Sequence, residues 1–218
     1  MKVIAIIPAR GGSKGIPKKN LVNFLGKPLL QWSIEAALNS KYITDVVVSS
    51  DDDDILRISQ KHKNVIPIKR PKELALDTSR TEPVLAHVIE SLKGRTFDYL
   101  ILLQPTSPLR KSDDIDEAFN KLLASYANSL ISVCSNDYHP YKSLRINNKG
   151  FLEGIINNEY PFLPRQELPQ TYSANGAIYI IKVKDFIKNY SLITSKTLHY
   201  KMSIERSLDI DSKIDLIK

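Results

Sequence analysis

The strongest constraint on the fold is the alternation of short apolar runs with amphipathic stretches along a chain of 218 residues. The apolar runs are typical of buried strands, and the stretches between them carry apolar residues at helical spacing. This alternation predicts an α/β fold, a mostly parallel sheet with helices on both faces. The predicted strands span residues 3–7, 46–48, 65–68, 99–103, 130–133 and 177–183. The predicted helices span residues 29–38, 55–62, 83–92, 185–189 and 211–218, with a further acidic helix capped by Ser112.

Composition excludes several classes of protein. Hydrophobic residues make up 42% and charged residues 25% of the chain, the ordinary mixture for a globular protein. The single cysteine, Cys134, rules out an internal disulfide framework. The apolar run at residues 3–7 is too short for a signal-peptide core, and no run is long enough to span a membrane. We therefore expect one cytoplasmic domain over residues 1–218, with no membrane partner.

The strand and helix alternation is interrupted between residues 137 and 173. This stretch contains four prolines and no helical period. Such a pattern indicates an excursion from the sheet, built of extended segments and turns. We expect it to form a small inserted arm or subdomain that mediates dimerisation, so that the protein is a homodimer.

The excess of positive charge is concentrated in one place. The formal net charge is +7, which is compatible with nucleic acid, an anionic membrane surface or a small polyanion as partner. Residues 8–20 contribute four of these charges and contain no acidic residue. A nucleic-acid-binding module would instead spread its basic residues over a face with interleaved aromatics, and the whole chain has one Trp. The distribution favours a small anionic ligand.

The basic segment directly follows the first predicted strand and is rich in glycine. Gly11, Gly12 and Gly15 lack a Cβ, so that backbone N–H groups can approach an anion closely. Arg10 can donate two hydrogen bonds to phosphate oxygens, and the three lysines add point charges. The segment matches neither a Walker A loop nor the G-x-G-x-x-G fingerprint. Phosphate binding is favoured, and a solvated basic turn is the alternative.

Four separated blocks of the sequence extend together over nearly the whole chain. The blocks are IIPARGGSKGIPKKN at residues 6–20, LLQPTSPLR at 102–110, RQELPQTYSANGAIYI at 165–180 and ERSLDIDS at 205–212. As a set, and in this order, they resemble the motifs of one enzyme family, the CMP-sialic acid synthetases or N-acylneuraminate cytidylyltransferases. The resemblance implies a Rossmann-like nucleotidyltransferase fold. The related Kdo cytidylyltransferases share the opening block, but the third block is not expected in them.

The resemblance also implies roles for the first block and for a later arginine. Residues 79–82 and Arg70 would lie against the cytosine and the ribose. The implied nucleotide-binding residues are Ala9, Arg10, Gly11, Gly12, Ser13, Lys19, Asn20 and Arg70. The implied catalytic residues are Arg10, Lys14, Lys19 and Asp211.

Asp209 and Asp211 are the candidate metal ligands. In an extended segment their side chains lie on one face, and Mg²⁺ is commonly held by one or two carboxylates plus substrate phosphates. Taken alone, the pair is more typical of a surface strand end with a helix cap at Asp211 than of a metal site. The family resemblance implies that both aspartates bind Mg²⁺, or Mn²⁺ in its place. The acidic run at residues 51–54 is the competing candidate, but it precedes a helical period, where acids favour the helix N-terminus.

The acceptor pocket is implied by the second and third blocks. Gln104 follows a buried strand, at the edge where open α/β sheets bind ligands. By resemblance the sugar-binding residues are Gln104, Lys142, Arg165, Asn175 and Tyr179. Lys142 would reach the neighbouring subunit's site, and a solvated surface lysine is the alternative for it. The sequence departs from the family in having Leu192 and Ile193 where the sialic acid enzymes place paired aromatics. This departure puts the identity of the sugar in doubt.

The implied reaction joins CTP to an acidic nine-carbon sugar, N-acylneuraminate, and releases pyrophosphate. The anomeric hydroxyl would attack the α-phosphate in line. The sequence identifies no general base, although Asp211 could serve. CMP-legionaminate, CMP-pseudaminate and CMP-Kdo synthesis are the enzymatic alternatives, and a basic nucleic-acid-binding module is the alternative from another class.

Overall fold

A computed structural model describes residues 1–136 and 138–217. Most of the predicted elements are present in it with bounds shifted by a few residues. The strands are β1 (Val3–Pro8), β2 (Asn23–Phe24), β3 (Lys27–Pro28), β4 (Asp45–Ser50), β5 (Val65–Lys69), β6 (Tyr99–Leu102), β7 (Ser129–Ser135), β8 (Leu144–Ile146), β9 (Leu152–Gly154), β10 (Tyr172–Lys182) and β11 (Thr197–Lys201). The α-helices are α1 (Leu29–Leu38), α2 (Asp53–Ser59), α3 (Thr81–Ser91), α4 (Ser112–Leu123) and α5 (Val183–Asn189).

Seven of the strands form one sheet in the order β11-β7-β10-β6-β1-β4-β5. All neighbouring strands are parallel except β10, which is antiparallel to both β6 and β7. The prediction of a mostly parallel sheet flanked by helices is confirmed. The chain passes from β1 to β4 and β5 on one side, and then crosses to β6 on the other side of β1. The sheet therefore has its topological switch point between β1 and β6.

Two apolar cores cover the two faces of the sheet, because successive strand residues point in opposite directions. On one face Val3, Ala5 and Ile7 pack with helices α1, α2 and α4. On the other face Ile4 and Ile6 pack with helices α3 and α5. Burial on both faces explains why these strands are almost continuously apolar.

Several local predictions are corrected. Ser112 is the first residue of α4 and not its cap: the residue at the cap position is Lys111, whose N–H donates to the Asp114 carboxylate at 2.9 Å. The predicted helix at 211–218 is a 3₁₀ helix over Lys213–Leu216, and Lys218 lies outside the described residues. A further strand, β11, lies at the edge of the sheet where none was predicted.

The predicted arm leaves the sheet at the end of β7 and returns at the start of β10. It holds the two-stranded β8–β9 ribbon and short 3₁₀ helices, and Asp137, at its predicted start, lies outside the described residues. Because Tyr172 pairs with Ser135, both ends of the arm stand at the edge formed by the carboxyl ends of the parallel strands. In the described parts of the chain, no helix has the length and apolar character needed to cross a membrane.

Candidate active site

A cavity of about 270 Å³ opens at the switch point between β1 and β6. Its walls come from the loops that follow β1, β5 and β6 and from the start of α3. Ligands of open α/β sheets bind at such a position. The lining residues are Pro8, Arg10, Gly12, Ser13, Lys19, Asn20, Arg70, Leu74, Leu76, Asp77, Ser79, Arg80, Thr81, Val84, Gln104, Pro105 and Thr106.

Two of the predicted phosphate-binding cations meet a carboxylate at this cavity. The Nη1 atom of Arg10 lies 2.7 Å from one oxygen of Asp77, and the Nζ atom of Lys14 lies 3.2 Å from the other. The hydrogen bond from Lys14, followed by that from Arg10, lowers the pKa of Asp77 below its ordinary value. Asp77 therefore stays ionised, and its carboxylate forms ion pairs with Arg10 and Lys14 in the absence of another anion.

The glycines of this loop allow two close approaches to neighbouring segments. The N–H of Gly11 donates to the Asp51 carboxylate at 3.0 Å, and a Cβ on Gly11 would lie 2.7 Å from the Cβ of Asp52. A Cβ on Gly15 would lie 2.4 Å from the carbonyl oxygen of Asp211. The loop is thus packed between the start of α2 and the segment that carries the predicted metal ligands.

The acidic run at residues 51–54 has mainly structural contacts, as expected. The Asp52 carboxylate accepts hydrogen bonds from the N–H groups of Asp54 and Ile55, and so caps α2. Asp54 pairs with Lys18 at 3.1 Å. These contacts leave the run outside the cavity lining.

Lys19 and Asn20 join the glycine loop to other parts of the site. The Lys19 ammonium donates to the carbonyl of Ile210 at 2.8 Å and to the carboxylate of Asp211 at 3.0 Å. The buried Asn20 amide donates to the carbonyl of Arg10 at 2.8 Å. Lys19 therefore links the first block of the sequence to the fourth, while Asn20 fixes the backbone from which Arg10 projects.

Arg70 is a buried cation behind the cavity. Its Nη2 atom donates to the carbonyl of Ser49 at 2.6 Å, and its Nε atom to the Ser49 hydroxyl at 3.2 Å. Burial lowers the pKa of Arg70 to about 10, and the nearby Asp51 opposes this shift. The guanidinium therefore keeps its charge at neutral pH.

The fourth block is attached to the loop after β6. The N–H of Ile210 donates to the carbonyl of Thr106 at 2.8 Å, and the Ile210 side chain is fully buried. Ile210 is therefore held in place, and Asp209 and Asp211 flank it in the chain. Desolvation raises the pKa of Asp209, although a hydrogen bond from Thr106 opposes the shift.

The donor set at Asp209 and Asp211 meets part of what magnesium requires. The residues that the structure describes contain no group of three or more His, Cys, Asp or Glu side chains able to hold a metal. Asp209 and Asp211 are not among the described residues that line the cavity, but they contact Thr106 and Lys19, which do line it. Two carboxylates so placed fit a Mg²⁺ ion that takes its other ligands from water and substrate phosphates. The residues present thus fit a site that the substrate completes.

Of the predicted sugar-binding residues, Gln104 lines the cavity. The Asn175 side chain is turned inward: it accepts a hydrogen bond from Ser132 at 2.6 Å and donates one to Ser207 at 2.9 Å. Tyr179 is half-buried on β10, and burial together with the charge of Asp209 raises its pKa.

Lys142 and Arg165 lie in the arm. Arg165, with His139 and Tyr172, lines a second cavity of about 270 Å³ at the base of the arm. Neither basic residue is among the described residues that line the cavity between β1 and β6. The structure therefore brings most of the predicted nucleotide-binding residues together at the cavity between β1 and β6. It places Lys142 and Arg165 apart from them, in the arm.

Two residues near the site were not identified from the sequence, namely Asp77 and Arg110. Asp77 lies in a loop whose sequence has no strong hydrophobic pattern, although Leu76 and Val84, the apolar residues before and after it, line the same cavity. Arg110 closes the second block, and its burial is a tertiary property. Gly176, next to the predicted Asn175, has a φ of +73°, which favours glycine.

Comparison of the sequence with known families gives one match that covers most of the chain. A sequence model described as cytidylyltransferase matches residues 4–206. The chain belongs to the cytidylyltransferase family. The match includes the glycine loop, the loop after β6 and the arm, so that a cytidylyltransferase fold accounts for all the elements around the cavity.

Two similar cytidylyltransferases span nearly the same length as this chain, and the chain spans about half the length of a third. The chain is 32% identical over 218 residues to the pseudaminic acid cytidylyltransferase of Campylobacter jejuni, covering 99% of this chain and 94% of the relative. It is 34% identical over 226 residues to the CMP-N,N'-diacetyllegionaminic acid synthase of Legionella pneumophila, covering 99% and 93%. It is 33% identical over 219 residues to the N-acylneuraminate cytidylyltransferase of Streptococcus agalactiae, covering 100% of this chain but only 52% of that longer relative.

A solved structure with the same fold is that of a CMP:2-keto-3-deoxy-manno-octonic acid synthetase complexed with CTP. It superposes with a TM-score of 0.71 at 18% identity and covers 100% of this chain and 96% of its own. The resemblance confirms the nucleotidyltransferase fold predicted for this cytidylyltransferase.

Proposed function

We propose that this chain transfers CMP from CTP to the anomeric hydroxyl of a sialic-type nonulosonic acid and releases pyrophosphate. The observation that carries the proposal is the cavity at the switch point, where the basic glycine loop, the buried Arg70 and the acceptor-side Gln104 meet. The basic glycine loop suits the phosphates of a nucleotide, and the Gln104 amide suits the hydroxyl groups of an acceptor. Their presence in one cavity therefore fits a reaction between a nucleotide and a hydroxylated acceptor.

The nucleotide is assigned to the β1 side of the cavity. Its triphosphate would lie against Arg10, Lys14 and Lys19, and the backbone at Ala9, Gly11, Gly12 and Ser13 would follow it. Asn20 supports this loop from behind. The cytosine and ribose would lie between Arg70 and residues 79–81, which line the same cavity.

Asp209 and Asp211 are the carboxylates proposed to hold Mg²⁺. When bound, the ion supplies positive charge that neutralises the phosphates and lowers the pKa of the attacking hydroxyl. Lys19, which already contacts Asp211, would keep this carboxylate oriented toward the triphosphate.

In the reaction the anomeric oxygen forms a bond to the α-phosphorus while the bond from phosphorus to the leaving pyrophosphate oxygen breaks. The hydroxyl proton passes to a carboxylate, for which Asp211 is the candidate, or to water. Arg10 and Lys14 would stabilise the charge that develops on pyrophosphate, since fixed cations lower the energy of such a transition state. Gln104 would orient the sugar by hydrogen bonding.

The remaining sugar contacts are proposed to involve a second copy of the chain. Lys142 and Arg165 lie in the arm, away from the cavity of their own chain, and a dimer formed through the arm would bring them to the partner's sugar. Tyr179 and Asn175 would line or support the pocket from β10. Pseudaminate, legionaminate and N-acylneuraminate are the acids to compare, since relatives named for each resemble the chain about equally.

The proposal is tested by pyrophosphate release from CTP and Mg²⁺ with a panel of those three acids and Kdo. We expect release with at least one nine-carbon acid and none without an acceptor. Release with none of the panel would overturn the proposal. Equilibrium binding of a fluorescent single-stranded oligonucleotide, compared with CTP and Mg²⁺, tests the nucleic-acid alternative, and tight oligonucleotide binding would support that alternative instead.

Two substitutions test the assigned roles in the same assay. Arg10→Ala should cost about 2–4 kcal/mol of transition-state stabilisation, the scale of one removed electrostatic donor. Asp211→Ala should abolish CMP transfer while CTP binding changes less. Lys18→Ala is the matched control, because Lys18 belongs to the same loop but pairs with Asp54 outside the cavity. A wild-type rate for Arg10→Ala or for Asp211→Ala would contradict the role given to that residue.

A further inference from the structure

Arg110 is buried directly behind Gln104. It lies on the loop after β6 and is 3% exposed. Its Nη1 atom donates to the carbonyl of Ala177 at 2.8 Å and to the carbonyl of Gln104 at 3.3 Å. Its Nη2 atom donates to the hydroxyl of Ser33 at 2.6 Å. One guanidinium therefore ties the backbone of the acceptor-side loop to β10 and to α1.

Gln104 is held from its other side by a glycine. Gly176 has a φ of +73°, and a Cβ at this position would lie 2.6 Å from the side-chain oxygen of Gln104. The Ser107 hydroxyl donates to the carbonyl of Asn175 at 3.2 Å, which adds a second tie between the same loop and β10. The carbonyl of Gln104 thus accepts hydrogen bonds from Arg110, from the Ser33 hydroxyl that Arg110 itself contacts, and from the N–H of Ser107, each at 3.3 Å. The Gln104 side chain lies against the backbone of Gly176.

The burial of Arg110 is costly for the fold. Among the residues that the structure describes, Arg110 has no ion-pair partner, because Asp114, the nearby carboxylate, pairs with Arg206 at 2.8 Å. The Nε atom of Arg110 is also without a hydrogen-bond acceptor. Burial lowers the pKa of Arg110 to about 9. A purely structural contact between these elements would be made at lower cost by apolar side chains.

We propose that Arg110 is a positioning residue for the acceptor, which holds Gln104 in the orientation that contacts the sugar. This inference rests on the proposed cytidylyl transfer. The effect should be selective, because the glycine loop that receives CTP is held by other residues, among them Asn20 and Asp51. Loss of Arg110 should disturb the use of the sugar and leave CTP binding nearly unchanged.

The experiment compares Arg110→Lys and Arg110→Met with the wild type in full kinetics against both substrates. In Arg110→Met the contact between Gln104 and the sugar should be misplaced by up to about 1 Å. This displacement should raise the KM for the sugar about ten- to a hundredfold. The KM for CTP should stay within about twofold, because the nucleotide contacts are intact. Arg110→Lys keeps the charge and one donor, and should recover part of the loss. Arg95→Met is the control, since Arg95 is half-exposed and pairs with Asp45 away from the cavity.

Two further variants keep the inference falsifiable if Arg110→Met does not fold. Gly176→Ala adds a methyl group against the side-chain oxygen of Gln104 and removes no charge. It should therefore also raise the KM for the sugar. In a Gln104→Ala background the effect of Arg110→Lys should largely disappear, because the side chain through which it acts is absent. Additive effects of the two substitutions, or equal losses for both substrates, would overturn the inference while the cytidylyl transfer of the wild type stands. Absence of turnover by the wild type would overturn the proposed function itself.

Discussion

At the scale of single residues, the carboxylate of Asp77 occupies the position where an anion would meet Arg10 and Lys14. Both pairs are partly exposed, so that each is worth little free energy in water. A triphosphate carries more charge than one carboxylate and would displace Asp77 from these cations. If Arg10 and Lys14 bind the triphosphate, as proposed, Asp77 is a weak internal competitor of CTP.

The first prediction concerns this competition. Asp77→Asn removes the charge but keeps the shape of the side chain, and should lower the KM for CTP by about two- to fivefold, the range expected for exposed ion pairs. Initial-rate kinetics with CTP at saturating sugar measures the change. Asp54→Asn is the control, since Asp54 pairs with Lys18 and Arg57 outside the cavity and should leave the KM unchanged. A higher KM in Asp77→Asn would mean instead that Asp77 holds the wall of the cavity together.

The predictable part of the site at this scale is the part that is contiguous in sequence. Arg10, Ser13 and Lys19 belong to one short segment, and its charge and glycine content indicated an anion-binding loop. Asp77 was not identified because its contact with the loop joins residues distant in sequence. Asn175, in contrast, was predicted to contact the ligand because of its residue type. Its side chain instead forms hydrogen bonds within the protein.

At the scale of elements, the β2–β3 hairpin carries backbone strain. Its two-residue turn consists of Leu25 and Gly26, with φ values of +50° and +93°. Turns with positive φ at both central residues favour Asn-Gly, because a branched side chain is disfavoured in the left-handed region. Leu25 is also 63% exposed, so that its side chain contributes little burial in return.

The second prediction follows from this turn. Leu25→Asn should raise the free energy of unfolding by about 0.5–1 kcal/mol, because it relieves the strain of the left-handed conformation. Urea denaturation followed by circular dichroism measures the change. Leu25→Ala removes the same apolar surface but keeps a Cβ without a local hydrogen-bonding group, and should give no comparable gain. Equal stabilities of the Asn and Ala variants would contradict the explanation.

The buried elements were predictable because their residues repeat with a clear period. Residues 99–103 form a continuous apolar run and correspond to the buried strand β6. The edge strand β11 was missed, because Thr197–Lys201 mixes polar and apolar residues and is only partly buried. The first half of β10 was missed for the same reason, and its antiparallel direction depends on pairing with β6 and β7, which local sequence does not encode.

At the scale of the whole molecule, the arm presents an apolar surface that its own chain does not cover. Ile146, Phe151, Leu152 and Phe162 are between 67% and 82% exposed. Several large apolar side chains exposed within one segment are typical of a protein interface. It agrees with the proposal that the protein is a dimer in which Lys142 and Arg165 serve the partner's site.

The third prediction tests this assembly. The wild type should be a dimer by size-exclusion chromatography with light scattering, and the combined change Leu152→Lys and Phe162→Lys should give a monomer. Because the arm residues would then be absent from the sugar pocket, the KM for the sugar should rise while CTP still binds. Tyr126→Lys is the control, since Tyr126 is 96% exposed but lies outside the arm. A monomeric wild type with full activity would contradict the prediction.

The antiparallel direction of β10 has a consequence for how such a protein can diversify. Because β7 ends and β10 begins at the same edge of the sheet, the arm is attached like a loop, by two neighbouring points, and the register of the seven strands does not depend on its length. We therefore expect that insertions or deletions between these points leave the cavity between β1 and β6 in place. If the arm supplies the dimer contact and part of the sugar pocket, as proposed, assembly and acceptor preference can change independently of the residues proposed to bind the triphosphate.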